Sequence, residues 1–172
     1  MKQTESTEFT ANDLQGFLDQ MLDHDRMVLA DRLQQASDRL AAIAPRVTAG
    51  HGADGWSAHE VLAHIAVLSK FYGVVFHRIS SGKMTELDLL SNVNLRDGMD
   101  EEMAALDPQE LLRMCVEDHA RTIKALRTVE LESMRRSAIV DGGAAMTAEQ
   151  VARLPLISHL ELHLEQLEKA LS

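Results

Sequence analysis

Cysteine is nearly absent: Cys115 is the only one. No intramolecular disulfide framework is possible, and a reducing, cytoplasmic setting is the natural expectation. Aromatic residues make up only 3 % of the chain, while Leu, Ala and Met are plentiful, which favours helices over sheets. Basic residues are outnumbered, 17 Lys and Arg against 27 Asp and Glu, for a formal net charge of −10. A nucleic-acid role is therefore not expected, since phosphate backbones are held mainly by clustered Lys and Arg. The opening "MKQTESTEFTANDLQ" has no apolar run resembling a signal peptide, and no stretch reads as the ~20 apolar residues of a membrane span. There is no G-x-S-x-G elbow, and Gly142-Gly143 is too isolated to be a phosphate loop. What remains is a 172-residue chain with 45 % hydrophobic content, enough for one core and short for two.

Four helix starts stand out: Thr10-Ala-Asn-Asp13, Ser57-Ala-His-Glu60, Asp107-Pro108-Gln109-Glu110 and Thr147-Ala-Glu-Gln150. In each, a side-chain oxygen can accept from the orphan amides of a first helical turn, and Pro108 at the first helical position gives up no internal bond. The apolar spacing that follows predicts helices over about 10–44, 57–81, 107–131 and 147–171, behind a polar tail at 1–9, with Pro155 bending the start of the last. The expected fold class is all-α, a single four-helix-bundle domain over 1–172 with two long crossover connections. The first connection, 83–106, is too long for a bare loop and should carry a short helix near 99–106 or a segment covering a site. The second, 132–146, should hold an extended piece at Ser137–Val140 and a turn at Asp141-Gly142-Gly143.

Helical wheels sort the histidines. On the second helix, His64 falls inside the arc of Val61, Ile65, Leu68, Phe71, Tyr72, Val75 and Ile79, while His59 and His77 fall beside Lys70 on the expected solvent face. On the last helix, His159 and His163 sit at the edge of the inward arc of Ala152, Leu156, Leu160, Leu167 and Leu171, with Glu161, Glu165 and Glu168 opposite. Three buried imidazoles without partners would be costly, and a divalent metal would use one nitrogen of each, leaving the other N–H for an acceptor. Three ligands would also leave a coordination position open, as catalytic metals require. The competing reading is three hydrogen-bonded core histidines. His119, on the third helix among Leu112, Cys115, Val116, Ile123 and Leu126, is a candidate general base or fourth ligand, with a satisfied core histidine the favoured reading. His24 and His51 have no visible partner; Cys115 reads as a small buried hydrophobe, and Trp56 as a staple over the second helix's first turn.

The string "GWSAHEVLAHIAVLSKF" (55–71), followed far downstream by "LISHLELHLEQLEKAL" (156–171), resembles the DinB/YfiT-like superfamily. The matching positions are Trp56, Ser57, His64, His159, His163 and Gln166. The resemblance implies a four-helix bundle, often dimeric, that binds a divalent metal such as zinc or nickel through His64, His159 and His163. It also implies small-molecule chemistry: an S-transferase joining a low-molecular-weight thiol to an electrophile, a mycothiol-dependent isomerase, or a related hydrolase-like activity. No nucleic-acid or membrane partner is expected. Two other readings stay open: a stress-associated metal- or small-molecule-binding protein without turnover, and a purely structural helical dimer.

Overall fold

The computed structural model describes residues 9–90 and 93–172, with side chains of 93–98 left aside. The expected polar tail at 1–9 therefore lies almost wholly outside the described residues. Four predicted starts are helix starts. Thr10, Ser57 and Thr147 each close a capping box with Asp13, Glu60 and Gln150, and the Asp107 side chain accepts from the Gln109 amide. From them run α1 (Ala11–Ile43), α2 (Ala58–Ser80), α4 (Pro108–Thr128) and α6 (Ala148–Val151). α6 continues without a break through a π-helical stretch, Ala152–Ser158, into α7 (His159–Ala170). Pro155 explains the stretch: its ring removes an amide donor and crowds the preceding turn, and the wider π turn absorbs both. The long third helix is shorter than predicted, and a separate short helix, α5 (Leu131–Arg135), follows it.

α2 is the axis of the molecule. Fourteen of its residues are buried, from His59 and Val61 to Ile79 and Ser80, and it packs against α3 (Val93–Ala104), α4, α6 and α7. A helix apolar on nearly every side belongs in a core. α2 is also long and apolar enough by composition to cross a bilayer, contrary to the expectation that no stretch is, but 67 % of that window is buried inside the fold. The core is mostly aliphatic: Leu29, Leu33 and Leu40 of α1 join Leu62, Ile65 and Phe76 of α2, Leu111 and Leu126 of α4, and Leu160, Leu164 and Leu167 of α7. Truncating a fully buried leucine here to alanine should cost about 2–5 kcal/mol. Ion pairs fix α7 against α1: Arg32 bonds Glu161 in bidentate fashion (3.0 and 2.6 Å) and Arg39 bonds Glu168. Glu161 and Glu168, on the face opposite the inward arc as expected, thus serve as inter-helix partners.

The fold is mostly helical, 73 % helix among the described residues, with a few short strands beside the helices. The two long connections meet in a three-stranded sheet. β1 (Glu86–Leu87) pairs parallel with β2 (Ser137–Val140), and β2 pairs antiparallel with β3 (Ala145–Thr147), in register Glu86↔Ile139 and Ser137↔Thr147. Asp141 (φ 49°) and Gly142 (φ 67°) make the β2–β3 turn, and the Asp141 carboxylate accepts from the Leu89 and Leu90 amides. The expected extended piece at 137–140 is present; its β1 partner is some fifty residues away and was not anticipated. The expected short helix in 83–106 exists as α3 (Val93–Ala104), earlier and longer than predicted.

Candidate metal centre

The loop before α2 builds the first wall of the site. Glu60, the capping-box carboxylate, accepts from the Ser57 amide (2.8 Å) and the Gly52 amide (3.0 Å) and lies 3.3 Å from His51 Nδ1. Those backbone bonds hold its pKa at about 2, far below the ordinary carboxylate value. Gly52 is obligatory, since a Cβ there would sit 1.7 Å from the Gly55 carbonyl oxygen, and Gly55 itself has φ 127°. This tight loop delivers Trp56, 52 % exposed, with its ring 4.8 Å from that of His64. Trp56 therefore packs about one turn further along α2 than the first-turn staple expected of it.

His59, assigned to solvent by the wheel, is buried at 4 % exposure. Its Nδ1 accepts from the Gly50 amide (3.2 Å), and its Nε2–H donates to the Leu106 carbonyl (2.8 Å). The wheel failed because the face of α2 opposite the aliphatic core is itself covered, by the loop around Gly50 and by α3. Pinning Leu106 fixes the end of α3, and one turn earlier α3 presents Asp100. Both Asp100 oxygens stand 3.1 Å from His64 Nδ1. The carboxylate takes the Nδ1–H and leaves the Nε2 lone pair of His64 free to bind. Asp100 was missed by the sequence reading, since nothing local marks one acid among several in 83–106; only the fold of α3 onto α2 singles it out.

The structure brings His64, His159 and His163 together. One nitrogen from each lies within 4.8 Å of the others, and this triad could hold a metal ion. The rings of His64 and His163 are 4.7 Å apart at 78°, and those of His159 and His163 are 4.6 Å apart. His163 is 9 % exposed, and burial lowers its pKa from the usual histidine range, so the ring is neutral near pH 7. Its Nδ1–H donates to Gln166 Oε1 (3.0 Å), again leaving Nε2 as the available lone pair. That Nε2 is 2.9 Å from Nε2 of His159. Two nitrogens on one tetrahedral ion, at bonds of ~2.0–2.1 Å, stand roughly 3.3 Å apart, so a shift of a few tenths of an ångström converts this contact into shared ligation. The donor set suits zinc, nickel, copper or iron alike. A groove of about 240 Å³ opens beside His64, lined by His51, Trp56, Glu60, Asp100, Glu101 and Ala104.

The remaining candidates fall elsewhere. His119 is outside the triad, 1 % exposed, with Nε2 2.7 Å from the Ser69 hydroxyl and Nδ1 3.1 Å from the Ser37 hydroxyl. Burial pushes its pKa down to about 4, so it is neutral and partnered on both sides. Cys115 is fully buried, and burial raises its thiol pKa to about 12, which fits an inert hydrophobe and not a nucleophile. Val116, expected on the inward stripe, is 38 % exposed. His24 and His77 are exposed, and His51, expected to have no partner, sits against Glu60.

These observations define a class: a mostly helical protein with a three-histidine centre formed by two distant helices. The sequence profile of the DinB superfamily matches residues 21–167, and the chain belongs to that superfamily. Among solved structures it is similar to the mycothiol-dependent maleylpyruvate isomerase (TM-score 0.67, 17 % identity) and to a histidine-to-alanine mutant of that isomerase (TM-score 0.67, 16 % identity). Each match covers 84 % of this chain but only 60 % of the isomerase chain. No curated protein matches the sequence.

Proposed function

We propose that this chain is a divalent-metal-dependent enzyme that uses a low-molecular-weight thiol, as an S-transferase or isomerase acting on a small electrophile. In this reading His64, His159 and His163 are the metal ligands, zinc or nickel is the ion, and the four long helices form a DinB-type four-helix bundle working as a cytoplasmic homodimer. The observation that carries it is the arrangement of the three rings. Two of them commit Nδ1–H to an acceptor, Asp100 or Gln166; the Nε2 of His163 stands 2.9 Å from that of His159, and one nitrogen of His64 lies within 4.8 Å of both. Such oriented ligands are how proteins prepare a metal site. The similarity to a mycothiol-dependent isomerase supports the thiol part of the reading.

A bound divalent ion would lower the pKa of a thiol or water at the open position and hold the anion as nucleophile near neutral pH. This chain's residues then have defined tasks. Asp100 keeps the His64 ring in one tautomer and orientation. Trp56 forms the apolar wall of the groove and keeps water from one side of the ligands. Glu101 and Glu60 line the path by which the electrophile enters. His119, held between two serines, is assigned a structural task and no proton transfer.

The test has two stages. Protein purified under zinc- or nickel-replete conditions should carry about one metal ion per chain by elemental analysis. The loaded protein should then accelerate conjugation of a thiol such as mycothiol or glutathione to a reactive electrophile. Metal-free protein after metal-replete preparation would sink the ligand assignment; loaded protein inert with every thiol tried would leave a binding protein in place of an enzyme.

A further inference from the structure

The cavities differ in charge. The groove beside His64 is lined by three acids, and the one beside the sheet by Glu86, Asp88 and Asp141, with no Lys or Arg at either. A third cavity, about 470 Å³ and the largest of the described ones, lies between α2 and α4 and is lined by Lys70, Arg121 and Lys124 with a single carboxylate, Asp118. The Arg121 guanidinium bonds that carboxylate, which neutralises it. Lys70 and Lys124 have no ion-pair partner among the described residues, and both are exposed at the rim. In a chain of net charge −10 this concentration of cations is local and opposite in sign to the whole.

Below the rim the cavity is mostly apolar, with the hydroxyls of Ser69, Thr122 and Thr128 also in its lining. Phe76, fully buried, and Val74, 50 % exposed, line it with Ala125 and Gly73. At Gly73 no side chain intrudes; a Cβ would meet Thr122 Oγ1 at 3.0 Å. An apolar trough of this volume with cations along its edge is complementary to a small amphipathic anion. The lining residues of α2 begin at Ser69, five residues past His64 and so roughly 8 Å further along the helix, which makes this a place distinct from the metal centre.

We propose that the α2–α4 cavity is a second ligand site, which binds a free monocarboxylic acid with an apolar body of medium length, its carboxylate between Lys70 and Lys124. A membrane surface is the poorer occupant, because the chain's overall negative charge opposes approach to anionic lipid and the cavity is concave. This site does not depend on the metal reading above.

Calorimetric titration of the full chain with decanoate, below its micelle concentration, tests the proposal. Saturable one-to-one binding is expected, at least about tenfold tighter than for decyltrimethylammonium and weaker as salt rises. The double variant Lys70→Glu, Lys124→Glu alters only exposed positions and should lose at least about tenfold in affinity for decanoate. A control with the same charge change elsewhere, Lys83→Glu with Lys169→Glu, should bind as the wild type does, and so should His159→Ala. The proposal is overturned by equal affinity in the Lys70/Lys124 variant, by an equal loss in the Lys83/Lys169 control, by equal binding of the cationic amphiphile, by loss of binding in His159→Ala, or by association with anionic vesicles but not with free decanoate.

Discussion

Two sets of inward histidines sit in one core and are built in opposite ways. His119 has a serine hydroxyl on each ring nitrogen, Ser69 at 2.7 Å and Ser37 at 3.1 Å, from two different helices. Each of His64 and His163 has an acceptor on Nδ1, Asp100 or Gln166, while the Nε2 of His163 meets another imidazole, His159 Nε2 at 2.9 Å, and one nitrogen of His64 lies within 4.8 Å of both. A buried imidazole has one donor and one acceptor to satisfy; where hydroxyls meet both the residue is structural, and where the second nitrogen meets another imidazole the two can share a ligand. Facing the core does not by itself distinguish the two. The second nitrogen does.

The contrast can be broken most sharply at the triad. His163→Ala should reduce zinc or nickel affinity by more than about a hundredfold, since a three-ligand site becomes a two-ligand one, while thermal stability of the metal-free protein changes little. Metal titration with an indicator dye, beside a melting curve on metal-free protein, separates these effects; unaltered affinity would mean the ring is not a ligand. The converse is expected of His119→Ala. It leaves a void and two buried hydroxyls without their partner, for a loss of about 3–5 kcal/mol in denaturant unfolding, with metal stoichiometry unchanged.

Acid should also find His119. Its folded pKa, about 4, lies below the usual 6.5, so the unfolded chain binds this proton first as pH falls. The neutral ring's contribution is therefore fully present above about pH 6.5 and is lost progressively down to about pH 4, to a limit of about 3 kcal/mol. Unfolding free energy measured across that interval should slope more gently in His119→Gln than in the wild type; parallel slopes would assign the acid sensitivity elsewhere. Asp100→Asn should weaken metal binding by about 10–100-fold without abolishing it, because the ligand remains and only its orientation is lost. The smallest effect is expected at Arg39→Ala, whose partner Glu168 is half-exposed: under about 1 kcal/mol by denaturant unfolding, and no change in metal affinity.

Local signals made much of this legible. The Ser/Thr/Asp caps marked all four long helices because capping is a contact across three residues, written entirely in neighbouring positions. The triad was legible for a related reason: His159 and His163 share a face by helical period, and the inward arc of α2 contains His64. The wheel erred at His59 because it assumes one buried face, whereas α2 is enclosed on most sides. It placed Glu161 and Glu168 opposite the inward arc but could not supply their partners, since only the packing of α1 against α7 sets Arg32 and Arg39 beside them. The sheet escaped because β1 is two residues long and its partner lies in the other long connection.

By itself, then, the sequence determined the helix starts, the placing of three histidines toward the interior and the lack of any disulfide, all consequences of local period, capping and composition. Tertiary structure alone decided which acid backs His64, that Trp56 stands against His64 and His163, that His119 is sealed between two serines, and that the connections pair as strands. Each of those depends on groups far apart in the chain, brought together by the burial of a common core.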